Sequence, residues 1–212
     1  MRVWPVALVG GVFLLAACGG PFAGLKGLEN NASRNEWMAV PLHNAWIYAP
    51  NARLLVMRKH GHAAEQKIGL SNQTSLPQDN FIYLRTIPRQ SPGVMQLRTI
   101  LEQSGGLPSP FTESDLQVMR AAEDSAGALI WAEWTNGAGT TCVLAMRRLT
   151  VTQRVLPQGT GALDVLMRNC VRGTTQQALA PVGPEHVVTP ASARLTQGTP
   201  QRSLSPLAAP AP

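Results

Sequence analysis

Residues 140–151 and 161–171 are both rich in Val, Leu, Met and Ala, the first also in Thr, and each carries one cysteine. The connection between them contains Pro157 and Gly159. Such runs read as two β-strands around a turn. If they pair antiparallel with Cys142 facing Cys170, then Leu144 faces Arg168, Met146 faces Leu166 and Arg148 faces Asp164. One register thus satisfies a cysteine pair and a charge pair together. Directly opposed residues lie about 4.5–5.5 Å apart at Cα, within the span a disulfide accepts. The expected hairpin carries a structural Cys142–Cys170 disulfide, which would stabilise the fold by about 2–4 kcal/mol. Two buried free thiols are the alternative.

The third cysteine, Cys18, has a different context. Met1 and Arg2 give a charged start, residues 3–15 are apolar apart from Pro5 and Gly10-Gly11, and Leu15-Ala16-Ala17 precedes Cys18. A charged start, an apolar run too short to span a bilayer and small residues before a boundary make a secretory signal peptide. The cysteine directly after Ala16-Ala17 resembles a lipobox, which implies cleavage before Cys18 and lipidation on its sulfur. Several acyl chains are needed for stable anchoring, because one chain binds only marginally. Gly19, in place of the Asp that retains many lipoproteins at the inner membrane, points to the outer membrane. An ordinary signal peptide with a chance cysteine at the boundary, or an uncleaved anchor helix, is the alternative. Export also accounts for an even pair of remaining cysteines, since disulfides persist in oxidising compartments.

These readings divide the 212 residues into a signal peptide (1–17), a lipidated flexible linker (18–36), one domain (37–180) and a tail (181–212). Gly19, Gly20, Gly24, Gly27, Asn30 and Asn31 keep the linker flexible. The tail is rich in Pro, Ala, Ser, Thr and Gln, buries little apolar area and is expected to be disordered. No internal repeat is evident. The net charge of +6 falls by one when Arg2 is removed, and 15 of the 18 basic residues are Arg. An Arg excess can mark recognition of anionic groups or merely a GC-rich genome. There is no Lys/Arg run of the kind that binds nucleic acid.

Within the domain, residues 37–41 and 45–49 are short strand candidates, with 53–58, 65–70 and 80–87 as further strands. Residues 93–103 place Val94, Leu97, Ile100 and Leu101 at helical spacing before Gly105-Gly106. A second helix is expected over 111–122, with Thr112 as N-cap and Leu116, Met119 and Ala122 as its stripe. Residues 128–134 return to strand, and Asn136-Gly137-Ala138-Gly139 turns into the Cys142 strand. A last short helix follows over 174–179. The expected fold class is α+β, a mostly antiparallel sheet with two to three helices on one face.

Residues that could carry chemistry are sparse. His60-Gly61-His62 could begin a metal site, but no third ligand is near in sequence and the glycine suggests a solvated turn. Glu123-Asp124 are adjacent, so on a helix they do not face one another. There is no nucleophile elbow, zinc-protease motif or phosphate-binding glycine loop. No cofactor and no enzyme activity are expected. Trp131 and Trp134 lie three apart, so on a strand they face opposite sides. Core packing is the default for the aromatics, and stacking on a sugar ring is the alternative.

Residues 65–80, from Glu65-Gln66-Lys67-Ile68-Gly69-Leu70 through Ser71-Asn72-Gln73-Thr74 to Pro77-Gln78-Asp79-Asn80, resemble the front segment of the BcsN-type cellulose biosynthesis accessory proteins. Gly139 with Cys142, and Arg168-Asn169-Cys170 leading to Arg172-Gly173-Thr174 and Ala178-Leu179, are similar points further on. The resemblance spans about residues 40–180, on motifs of low complexity; the helical middle and the short chain depart from it. It implies a non-catalytic, membrane-anchored envelope protein that assists assembly or export of a β-glucan. The implied partners are the membrane, through the lipid anchor, an envelope complex such as the cellulose synthase machinery, and the glucan itself. An assembly lipoprotein of a secretion or pilus system, and an exported hydrolase, are the other classes.

Overall fold

The computed structural model describes residues 36–60, 63–90 and 93–192. Among these residues eight strands form one antiparallel sheet. They are β1 (Met38–Ala39), β2 (Ala52–His60), β3 (Ala63–Leu70), β4 (Asn80–Pro88), β5 (Arg120–Asp124), β6 (Gly127–Thr135), β7 (Thr140–Thr150) and β8 (Thr160–Arg172). Their order across the sheet is β1-β2-β3-β4-β8-β7-β6-β5. The chain therefore builds one half from the β1 edge inward to β4, crosses to the opposite edge at β5, and builds inward again through β6 and β7 to β8, which pairs with β4. The α-helices that lie wholly within the described residues are α1 (Leu97–Ser104), α2 (Thr175–Leu179) and α3 (Pro184–Val187).

The α+β class is as expected, and so is the late hairpin. Cys142 opposes Cys170, Leu144 opposes Arg168, Met146 opposes Leu166 and Arg148 opposes Asp164. At the preceding turn, the Asn136 side chain accepts hydrogen bonds from the N–H groups of Ala138 and Thr140 at 2.8 and 3.1 Å. Gly137 and Gly139 there take positive φ, which glycine adopts without strain.

The helices lie on both faces of the sheet rather than on one. The central strands β7 and β8 are buried almost without interruption, the pattern of strands covered on two sides. Alternation sends Ile82, Leu84, Val143, Ala145, Val165 and Met167 to one face, where Ala178, Val182 and Val187 of the C-terminal segment cover them. Phe81, Tyr83, Leu144, Met146, Leu166 and both bridge cysteines go to the other face, under Ile100 and Leu101 of α1.

Three further differences have local causes. The helix expected over 111–122 is a single 3₁₀ turn, Asp115–Val118, followed by β5. Capping chemistry is present, since the Thr112 N–H and hydroxyl both donate to Asp115 Oδ2 at 2.7 Å. Leu116 and Met119 also pack on the core. Ala121 and Ala122 offer no stripe to extend the turn, and pairing with β6 satisfies more backbone groups.

Residues 45–49 make no strand. Ala45 and Ile47 are buried, but the Trp46 N–H donates to Gln66 Oε1 at 2.9 Å and the Tyr48 N–H to His186 O at 3.0 Å. Residues 181–192, expected to be tail, are instead part of the folded domain. Val182, Val187 and Ala191 are buried in the core, and Pro181 and Pro184 occupy first-turn positions of short helices, where proline fits. Residues 193–212, the signal peptide and all but the last residue of the linker (18–36) lie outside the described residues.

Candidate functional site

One row of residues runs across five strands on the α1 face. Arg58 opposes Glu65 between β2 and β3, and Glu65 opposes Arg85 between β3 and β4. Arg85 opposes Asp164 between β4 and β8, and Asp164 opposes Arg148 between β8 and β7. The charges alternate along the row, +, −, +, −, +. Side chains directly opposite in an antiparallel pair are nearest neighbours, so the registers alone place each charge beside its opposite.

Asp164 is the buried centre of this ladder. Its carboxylate accepts from Arg148 Nε at 2.6 Å, Arg148 Nη2 at 3.1 Å and Arg85 Nη2 at 2.9 Å. Arg58 Nε donates to Glu65 at 2.6 Å, and its guanidinium lies 4.4 Å from the ring centre of Trp37. α1 and the chain before it form the roof: Arg85 donates to the Gln103 side chain and Arg148 to the Gly93 carbonyl. Between roof and ladder lies an open cleft of about 340 Å³, lined by Glu65, Arg85, Gln103, Gly93, Val94 and Arg148. The Arg85 Nε is buried with no hydrogen-bond partner.

Three guanidinium groups against two carboxylates leave the ladder with one excess positive charge. Tyr83 lies one step along β4. Burial, and then the neighbouring Glu65 carboxylate, raise its phenol far above the usual range, so it stays neutral. Its hydroxyl makes no hydrogen bond of ordinary geometry. The arrangement suits contact with a polar or weakly anionic surface.

A second polar system fixes irregular chain. Arg168 is fully buried and donates to the carbonyls of Ser109 (2.7 Å), Pro77 (3.1 Å) and Gln78 (3.2 Å) and to Asn80 Oδ1 (2.9 Å). Arg147 bonds Asp124 (2.5 Å), Val182 O (2.7 Å) and Gly127 O (2.8 Å). Arg154 bonds Val187 O and Trp46 O, both at 2.6 Å, and burial pushes its guanidinium down to about 10.

Of the residues singled out from sequence, Cys142 and Cys170 are bonded, with Cα atoms 4.0 Å apart, and both are buried. Cys18 lies outside the described residues. His60 ends β2, and Gly61 and His62 fall outside the described residues. Glu123 and Asp124 stand on β5, with Asp124 bound to Arg147. Trp131 packs into one core cluster and Trp134 into the other, as alternation on a strand requires. Among the described residues no group of three metal-ligating side chains exists, and no helix is long and apolar enough to cross a membrane.

The Arg148–Asp164 step of the ladder was legible from the hairpin register. Arg58, Glu65 and Arg85 were not brought to it. The β2–β3 and β3–β4 registers set Arg58, Glu65 and Arg85 in a row, but only the pairing of β4 with β8 joins that row to Asp164. Compared with protein-family models, curated proteins and solved structures, the chain matches none of them.

Proposed function

We propose that this chain is a lipid-anchored protein of the bacterial cell envelope, cut before Cys18 and lipidated there, that faces the periplasm from the outer membrane. Its folded domain is a non-catalytic accessory factor in the assembly or export of an exopolysaccharide, cellulose in particular. The observation that carries the reading is the Cys142–Cys170 bridge, buried between the adjacent central strands β7 and β8. A structural disulfide in that position belongs to an oxidising compartment, which is where a Cys18-processed chain would reside. The resemblance of residues 65–80 to BcsN-type proteins supplies the glucan part. The open, arginine-bearing cleft beside Trp37 and Arg58 is the surface on which a partner protein or glucan chain would rest.

Two measurements test this. Labelled palmitate should enter the wild-type chain and be lost in Cys18→Ala, with the precursor accumulating. Deletion of the gene should reduce glucan staining, and complementation by Cys18→Ala should fail to restore it. Palmitate labelling unchanged by Cys18→Ala would remove the anchor. Unchanged glucan in the deletion strain would remove the polysaccharide role.

A further inference from the structure

The two edges of the sheet are finished differently. At one, β1 pairs with Val56 and Met57 of β2, and the Val40 N–H adds a bond to Leu55 O at 2.9 Å. At the other, β5 ends the strand order, and among the described residues no strand lies beyond it. Arg120, Ala121, Ala122 and Glu123 are exposed and Asp124 is half-buried. β5 has no Pro, no Lys and no register shift against β6, three of the devices that keep an open edge from pairing. Two of its three charges are drawn back onto its own sheet, Arg120 to Glu133 at 3.3 Å and Asp124 to Arg147 at 2.5 Å.

The hairpin fixes which backbone groups are available. β5 and β6 are joined through Ser125 and Ala126, closing on Asp124 opposite Gly127. In a two-residue hairpin the closing pair is hydrogen-bonded, and bonded pairs alternate from there. Ala122 and Arg120 therefore also bond inward to β6. The N–H and C=O groups of Ala121 and Glu123 point out of the sheet.

We propose that the outer edge of β5 binds a second copy of this chain, strand to strand, about a two-fold axis through Ala122. In this antiparallel register Ala121 of one copy opposes Glu123 of the other, so the outward groups meet in about four backbone hydrogen bonds. Arg120 then opposes Asp124 of the second copy, placing opposite charges on one face across the axis. Sliding two residues one way sets Glu123 against Glu123, with like charges directly opposed. Sliding the other way parts Arg120 from Asp124 and sets Glu123 against Met119, outside the strand. At the axis only two Ala122 methyls meet, in a non-bonded pair whose Cα atoms approach to about 4.5 Å. The contact uses the same patch on both copies and closes as a dimer.

The test is cross-linking of the full-length chain in intact envelopes. Ala122→Cys should form a disulfide-linked dimer under mild oxidation, because the axial Cα spacing of about 4.5 Å suits a disulfide. The wild-type chain and Val155→Cys, an exposed site on the β7–β8 connection, should not. Adding Ala121→Pro should abolish the dimer, since proline removes an outward N–H while leaving the bonds to β6. A monomeric Ala122→Cys chain would overturn the proposal. If that chain still reacts with maleimide the edge is free, and if it is protected another segment of this chain covers it. A cross-link to a protein of different mass would overturn it in favour of that partner. The Ala122→Cys result stands even if the double variant fails to fold.

Discussion

The ladder arginines and the clamp arginines use one side chain for two different tasks. Arg58, Arg85 and Arg148 stand on regular strands opposite carboxylates, and register does the positioning. Among the described residues Arg154 and Arg168 form no salt bridge and spend their donors on carbonyl oxygens of chain that is neither strand nor long helix. Arg147 does both, joining Asp124 to the carbonyls of Gly127 and Val182. In a sheet, backbone groups satisfy one another. In irregular buried chain they need another donor, and a five-donor planar guanidinium can serve several carbonyls at once. The Arg-rich composition therefore has a structural use here. The clamps hold the loops and C-terminal segment against the sheet, while the ladder borders an open cleft.

The sharpest way to break this contrast is to remove one member of each group. Arg168→Met keeps the bulk of the side chain but strips donors from Pro77, Gln78, Ser109 and Asn80 in a fully buried site. Each buried acceptor left unpaired costs about 1–3 kcal/mol. With partial relaxation of the loops, we expect a loss of about 3–5 kcal/mol in urea unfolding. Asp164→Asn in the ladder should cost less, about 2–3 kcal/mol. Arg85 and Arg148 lose their counter-charge, but both line a cleft that water enters. If Asp164→Asn proves the more damaging, the cleft is dry and the ladder is a core element rather than the floor of a surface site.

What the sequence disclosed follows the same division. The register of β7 and β8 was readable because a cysteine pair and a charge pair agree on it within one short hairpin. The rest of the ladder needs β4 beside β8, two strands far apart in the chain, and no local pattern states that neighbourhood. The clamps were invisible for a related reason: an arginine that binds carbonyls has no complementary residue type to look for. That is why the segment after residue 180 read as tail. Its composition is poor in apolar residues, yet Arg147 and Arg154 fix Val182 O and Val187 O while Val182 and Val187 enter the core. The helix expected over 111–122 failed differently. Thr112 and Asp115 give a true local start signal, and pairing with β6 overrode it beyond Val118.

The smallest expected effect comes from the one carboxylate that meets a clamp arginine. Burial alone would raise the Asp124 carboxyl, but hydrogen bonds from Arg147 and from the Ala126 N–H, with the Arg147 charge, outweigh it and hold it below its ordinary value. A carboxyl depressed in the folded state binds its proton more readily when unfolded. Its contribution is thus complete above the unfolded value near pH 4 and is lost as pH falls through the folded value. Asp124→Asn should flatten this acid limb: the drop in stability between neutral pH and about pH 3 becomes smaller than in the wild type. Arg147 still reaches Gly127 O and Val182 O in that variant, so stability at neutral pH should fall only modestly. An unaltered acid limb would mean that Arg147 is held by its carbonyls alone, making it a clamp of the same kind as Arg154 and Arg168.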